Sequence, residues 1–378
     1  MLGLCAVRIA IVRKRYTFHG GAEGFSDTFM RHLVEAGHSV HLYAMTWDGA
    51  PSSPQIHAHR VPAWTFNSMV RDLSFALSSY IMLKKDRFDI IQSHDKTLYQ
   101  DIYRAGDGCH IEWLKQRWKR SGLLGRLSML MNPYHWCILA LESVIFRTHR
   151  FRKVIAISKL VRKNILDNYR VPEADIAVIY NGVDLQRFHP RLKTARRSEI
   201  RERYSIPEDS CVVLFVGSGF ERKGVRYLIE AAELLETPLT VLIVGRGPIR
   251  RYKDIAMRQR VIFCGPQREV EAYYGAADVF VFPALYEPFG NVHLEALASG
   301  LPVITTRLCG ASEIIEEGRQ GFVVDVPEDV AALADRIARV VARDERERMS
   351  RQARLLAEQF SFDRHIRESL RLYDSLSG

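Results

Sequence analysis

PALYEPFGNVHLEALASGLPV, residues 283 to 303, decides how the second half of the chain is read. The apolar run DVFVFPA (278–284) leads into it and PVITT (302–306) closes it, so the stretch reads as strand, loop, helix and next strand. Two carboxylates, Glu287 and Glu295, stand eight residues apart around Gly290 in a segment that a buried α/β unit would ordinarily make apolar. Standing alone they are more simply surface residues. A second interpretation is that a helix starting near Gly290 offers unpaired backbone N–H groups and its positive dipole end to a phosphate. Gly290 has no Cβ to keep an anion away, and Glu295, one turn on beside Asn291 and Val292, suits the hydroxyls of a vicinal diol such as ribose.

Outward from this stretch the same grammar repeats. CVVLFVG (211–217), LTVLIVG (239–245) and RVIFCG (260–265) are short apolar runs with helical segments between them. In the first half VRIAIV (7–12), HSVHLYAM (38–45), FDIIQSH (88–94) and KVIAIS (153–158) read as strands, and GGAEGFSDTFMRHLVEAG (20–37) as loop and helix. Runs of this length alternating with helices imply parallel sheets covered on both faces. The expectation is an α/β protein of two Rossmann-like domains, 1–182 and 183–360, joined near YNGVDLQRF (180–188), with a terminal helix in 361–378 packing back on the first. Ligands of such sheets lie at the carboxyl ends of strands, and a ligand shared by both domains would lie in the cleft they face across.

The 378 residues suit two domains, and 47% apolar with 26% charged residues is ordinary for a soluble globular protein. The six cysteines (5, 109, 137, 211, 264, 309) are scattered without a CxxC pair, which argues against a disulfide framework or zinc site and for a reducing compartment. The apolar run before Arg8 is too short for a signal peptide and no run approaches a membrane span, so a cytoplasmic protein is expected. The net charge of +10 lies wholly in residues 1–182, while residues 183–378 sum to zero. The first half should therefore meet an anionic surface. Nucleic acid is disfavoured, because no basic stripe is interleaved with aromatics.

Two further motifs follow strands. In GSGFERKGV (217–225), Arg222 and Lys223 stand just before a helix beginning near Gly224, where a guanidinium fork and an ammonium together suit a diphosphate. They would also stabilise charge on a departing phosphate. In HGGAEG (19–24), which is not GxGxxG, Gly20 and Gly21 suit a backbone loop approaching a phosphate or sugar.

Together these three motifs resemble the retaining GT-B glycosyltransferases of family GT4, and the resemblance spans nearly the whole chain. It implies that Arg222 and Lys223 hold the donor diphosphate and that Glu295 binds the donor ribose. Glu287, with the backbone at Phe289, Gly290 and Asn291, would hold the transferred sugar and phosphates, and the loop around Gln267 would contact the base. YAMTWDG (43–49) and QSHDKTLYQDIYRAGDGCH (92–110) resemble the lipopolysaccharide-core glucosyltransferases within that family. That resemblance puts Asp107 opposite the reacting sugar, as base or as partner of an oxocarbenium-like centre, with His110 as its rival. It makes UDP-glucose the expected donor and a lipopolysaccharide core or related lipid-linked saccharide the expected acceptor. No Asp-x-Asp occurs, so no metal or other cofactor is expected.

A basic, aromatic-rich segment, 113–153, carries nine Lys or Arg residues beside Trp and Leu and suits an anionic leaflet. Peripheral attachment to the inner face of the cell membrane is the expectation, with part of 134–147 given over to core helices. Two other classes stay open. A sugar-nucleotide epimerase or phosphorylase shares the architecture, though nothing marks a pyridoxal-phosphate lysine, and a non-catalytic scaffold would not need Glu287 and Arg222.

Overall fold

The computed structural model describes residues 7–17, 24–49, 51, 53–252, 254–255 and 258–377, so Gly20 and Gly21 lie outside the described residues. The chain divides into two compact units, one formed by Met1–Tyr180 with His365–Gly378 and the other by Asn181–Arg364.

The first unit holds strands β1 (Arg8–Thr17), β2 (Ser39–Asp48), β3 (Ile56–Arg60), β4 (Ile90–Ser93), β5 (Ile102–Ala105), β6 (Lys153–Ala156) and β7 (Ile176–Val178). Its helices are α1 (Gly24–Glu35), α2 (Ser68–Leu83), α3 (His110–Arg120), α4 (Leu123–Met131), α5 (Pro133–Arg147) and α6 (Lys159–Asn168). The second unit holds β8 (Cys211–Val216), β9 (Leu239–Val244), β10 (Arg260–Gly265), β11 (Val279–Phe282), β12 (Val303–Thr306) and β13 (Gly321–Val324). Around them run α7 (Leu192–Arg203), α8 (Val225–Glu233), α9 (Val270–Ala276), α10 (Asn291–Ala298), α11 (Val330–Val341) and α12 (Arg343–Ala357). Helix α13 (Phe362–Ser377) starts at the edge of the second unit and continues into the first.

Both sheets are parallel throughout the recorded pairings, in the orders β3-β2-β1-β4-β5-β6-β7 and β10-β9-β8-β11-β12-β13. Each order reverses beside its first strand, between β1 and β4 and between β8 and β11. That is the doubly wound arrangement, whose crevice opens at the carboxyl ends next to the reversal. Strands β8 and β9 are buried at every residue, as their unbroken apolar runs require when helices cover both faces.

Strand β1 runs five residues past the expected 7–12 segment, and the pairing explains why. Val12 is the last residue to pair with β4, at Ser93, while Arg15, Tyr16 and Thr17 pair with β2 alone. The apolar run stops where the strand loses its second neighbour. Strands β3, β5, β7 and β13 are also absent from the sequence reading. They are three to five residues long, and β3, β7 and β13 are sheet edges with one neighbour each, while β5 carries Arg104.

The terminal helix joins the first unit through buried polar contacts. Tyr373 donates its hydroxyl hydrogen to Gln92 Oε1 at 2.8 Å, and His365 Nδ1 lies 2.7 Å from the Tyr180 carbonyl. Both side chains are almost fully buried.

Candidate active site

The second unit brings Arg222, Lys223, Glu287, Gly290 and Glu295 to the carboxyl ends of β8 and β11, at the reversal of its sheet. The loop after β8 nests on the end of β11. Gly224, the residue before α8, has φ +78°, and a Cβ there would meet the Pro283 carbonyl oxygen at 1.8 Å. Only glycine allows that approach. Leu285 N–H donates to the Arg222 carbonyl at 2.9 Å, and Arg222 Nη1 donates to the Tyr286 carbonyl at 3.0 Å. Each loop thereby fixes the other.

Glu287 is held from the far side. Its N–H donates to the Leu308 carbonyl at 3.0 Å, and its carbonyl accepts from Gly310 N–H at 2.9 Å. The side chain turns toward the basic pair, with Oε2 3.3 Å from Arg222 Nη1 and 3.5 Å from Lys223 Nζ. These are ion-pair distances without hydrogen-bond geometry, so Glu287 Oε2 is a buried acceptor with no hydrogen-bond donor among the described residues. Lys223 Nζ also sits over the Phe282 ring, 5.2 Å from its centroid. Two positive groups thus converge on this one carboxylate.

Helix α10 begins at Asn291 after Gly290, whose φ is +84°. Glu295 lies one turn in and is only 6% exposed. Tyr274, from α9, donates its hydroxyl hydrogen to Glu295 Oε2 at 2.8 Å. Burial raises the Glu295 pKa above the ordinary carboxylate value, while the Tyr274 hydrogen bond and the charge of Arg187 act in the opposite sense. Phe289 is buried, and its carbonyl accepts from Ala311 N–H at 3.0 Å. Asn291 Oδ1 accepts from Asn181 Nδ2 at 2.6 Å. Gln267 follows β10, where its side-chain amide donates to the Cys264 carbonyl at 2.6 Å.

In the first unit Asp107 sits exposed in the turn between β5 and α3, with Gly108 after it at φ +66°. Its neighbours are anchored by an interior ion pair. Glu142, fully buried on α5, lies 3.4 Å from Lys96 Nζ. It also accepts from His110 N–H at 2.6 Å and from the Tyr169 hydroxyl at 2.9 Å. Burial alone would lower the Lys96 pKa, but Tyr103, Glu142 and Asp107 hold it well above its usual value. The carboxylate thus satisfies an orphan N–H at the start of α3 and fixes the turn that presents Asp107. His110 is pushed down to about 4 by burial, with the charges of Lys96 and His135 in the same direction. Its Nε2 lies 3.1 Å from His135 Nδ1. At neutral pH it is an uncharged imidazole already engaged with a neighbour, and Asp107 is the exposed carboxylate.

Sequence reasoning missed Tyr274, Glu142 and Lys96. Each lies on an element other than the one it supports, and no local pattern connects them. A cavity of about 430 Å³ in the second unit, at the opposite ends of β8 and β11, is a separate feature. There Arg197 and Arg201 are spent on Asp278 and the Ala276 carbonyl that ends α9. Among the described residues no group of three or more His, Cys, Asp or Glu is arranged to hold a metal ion.

Comparison with known proteins agrees with the two-sheet fold. Residues 19–187 match the family model Glycosyltransferase Family 4, and residues 196–356 match Glycosyl transferases group 1. An uncharacterized glycosyltransferase of Methanocaldococcus jannaschii is 28% identical over 323 residues, covering 81% of this chain and 82% of the relative. The lipopolysaccharide glucosyltransferase WaaG of Escherichia coli is 27% identical over 316 residues, covering 80% of this chain and 82% of its own. Among solved structures, WaaG superposes with a TM-score of 0.80 at 22% identity, covering 98% of this chain and all of that one. Anabaena HepE in complex with UDP-glucose superposes with a TM-score of 0.73 at 17% identity, covering 98% of this chain and 100% of that one. Two parallel, doubly wound sheets, matched in turn by the two halves of one enzyme type, place the chain in the family 4, group 1 glycosyltransferases of GT-B fold.

Proposed function

We propose that the enzyme transfers a hexose, glucose from UDP-glucose, to a saccharide of the lipopolysaccharide core, with retention at the anomeric carbon. The observation that carries the reading is the convergence of Arg222 and Lys223 on Glu287 beside the start of α10. In this reading the donor diphosphate enters the cationic pair and the first-turn N–H groups, and Glu287 exchanges its ion-pair partners for hydroxyls of the transferred sugar. Glu295 receives the ribose. Arg222, Lys223 and the helix start stabilise charge on the leaving diphosphate, the role a metal fills in other transferases, so the reaction proceeds without one. Asp107 serves the acceptor from the first unit, and attack occurs on the face the leaving group departs from.

Glucose and a lipopolysaccharide acceptor are supported by the similarity to the Escherichia coli enzyme over 80% of the chain. The deciding experiment incubates the protein with labelled UDP-glucose, UDP-galactose or GDP-mannose and truncated lipopolysaccharide. Transfer from UDP-glucose with an α-linked product is expected. Transfer from GDP-mannose alone, or an inverted product, would sink the reading. A hexosyltransferase acting on another surface glycan would take UDP-glucose but leave the lipopolysaccharide unlabelled.

We also infer that α3 and α4 rest on an anionic membrane surface. Leu123 and Leu124 are each 83% exposed and Met131 is 73% exposed, an apolar set without cover in the first unit. Arg117, Lys119 and Arg120 occupy the last turn of α3, and Arg126 lies 5.3 Å over the Trp118 ring. Basic residues beside exposed leucine and tryptophan match a headgroup boundary, each contributing on the order of 1 kcal/mol near an anionic leaflet. No helix among the described residues is long and apolar enough to cross a membrane.

A further inference from the structure

His293, the third residue of α10, is fully buried, and the transfer reaction as described does not use it. Its ring joins two strands to the helix start. Nδ1 lies 2.8 Å from the Gly290 carbonyl oxygen, and Nε2 lies 2.8 Å from Thr305 Oγ1 on β12. Thr305 Oγ1 in turn lies 3.0 Å from the Phe282 carbonyl oxygen at the end of β11.

The chain of contacts ends in a carbonyl on both sides, and a carbonyl only accepts. Three links therefore require three hydrogens. A neutral imidazole has one and the threonine hydroxyl has one. Whichever tautomer is drawn, two lone pairs face each other across 2.8 to 3.0 Å. The Cys309 thiol beside Thr305 does not repair this, because its hydrogen would reach Oγ1 and none of the three links. Only the imidazolium, with a hydrogen on each nitrogen, makes every link at once.

Burial opposes that charge. It pulls the ring down to about 4, the Lys223 ammonium acts in the same sense, and the Gly290 carbonyl acts against both. The charged group that acts on the ring is Lys223, itself paired with Glu287, and Thr305 is its hydrogen-bond partner. The edges of Phe280 and Phe282 complete the shell. Without ligand, then, the ring is neutral near pH 7 and one link is unmade. What would reverse the balance is an anion at the helix start. Gly290 O is held by the ring, and the trans peptide turns Asn291 N–H the opposite way.

We propose that His293 takes up a proton when the donor diphosphate binds at Gly290–Asn291, closing the hydrogen-bond chain to Thr305 and Phe282, and gives it up when the nucleoside diphosphate leaves. The proposal rests on the donor-site reading above. His293 acts here as a positioning residue. The arriving anion and the proton reinforce each other, so the helix start is locked only while the phosphates are present.

The test is calorimetric titration of the full chain with UDP-glucose, whose diphosphate diester has no group titrating near neutral pH, in buffers of different ionisation enthalpy. Uptake approaching one proton per bound donor is expected at about pH 6.5, with affinity falling roughly tenfold per pH unit while uptake is complete. His293→Gln keeps a neutral amide in place and should bind with no such uptake and a flat pH profile. Ring ¹⁵N shifts of the parental chain give a readout free of any variant. They should move from the split values of a neutral ring to the near-equal values of an imidazolium on adding UDP-glucose. Binding with the same uptake in parental chain and variant, or a ring that stays neutral with donor bound, overturns the proposal and leaves the donor site intact. A parental chain that does not bind UDP-glucose overturns both.

Discussion

The hydroxyl of Tyr274 donates to Glu295 Oε2 across 2.8 Å, joining α9 to the carboxylate assigned to the donor ribose. Burial raises the Glu295 pKa and the tyrosine restrains that rise. A carboxyl that holds its proton more tightly folded than unfolded contributes stability below its unfolded value. That contribution is lost as pH rises through the folded value. Tyr274→Phe removes the restraint and pushes the folded value higher. The variant should therefore lose more melting temperature at pH 7 than at pH 5, and donor affinity should fall by about 1–3 kcal/mol. Equal losses at both pH values would contradict this account.

Lys223→Ala should lower turnover by roughly a hundredfold, the scale for loss of one transition-state charge contact. Glu295→Ala should act mainly on KM. Initial rates at saturating UDP-glucose separate the two, and EDTA should leave the parental rate unchanged. Parental rates in both variants would remove the assigned site.

Asp107 and His110 are distinguished by charge as well as place. Asp107→Asn should lower kcat by about a hundredfold or more if the carboxylate serves the reacting centre. His110→Asn should cost less, and because burial holds the ring neutral above about pH 4, it should leave the kcat profile between pH 5 and 8 without a new inflection. The opposite ranking in kcat would transfer the role to the histidine.

Gly224→Ala tests the seat of the basic pair. The left-handed φ of +78° and the Pro283 oxygen 1.8 Å from a new Cβ leave no room for a side chain. The loop must shift, with a loss of at least about 2 kcal/mol in urea unfolding and a larger loss of turnover. An alanine variant of parental stability would mean that the two loops do not touch as described.

Leu123→Ser with Leu124→Ser should weaken binding to vesicles containing anionic lipid while leaving transfer to a soluble, deacylated acceptor unchanged. Sedimentation with phosphatidylglycerol vesicles measures the first. Undiminished sedimentation of the double variant would reject α4 as the contact.

Much of this architecture was legible in short apolar runs. CVVLFV and LTVLIV could only be strands covered on both faces, and each glycine-bearing loop marked a strand end. The pairing of Arg222, Lys223 and Glu287 was partly readable, since all three follow adjacent parallel strands. The rest depends on contacts between distant segments. Tyr274 reaches Glu295 from 21 residues away, and Glu142 reaches His110 from 32. Likewise the hydrogen deficit at His293 exists only once β11, β12 and α10 are brought together. Strand β3, IHAHR, is polar because it is an edge with one neighbour, so hydropathy had nothing to detect.

The first unit is encoded at both ends of the chain, by Met1–Tyr180 and His365–Gly378, while the second is a continuous stretch between them. As the chain leaves the ribosome, the second unit has all of its sequence before the first has its last helix. Gln92 then waits for Tyr373, made 281 residues later. Synthesis therefore completes the unit that carries Arg222, Lys223 and Glu287 ahead of the one that carries Asp107, and folding of the first unit waits for its last helix.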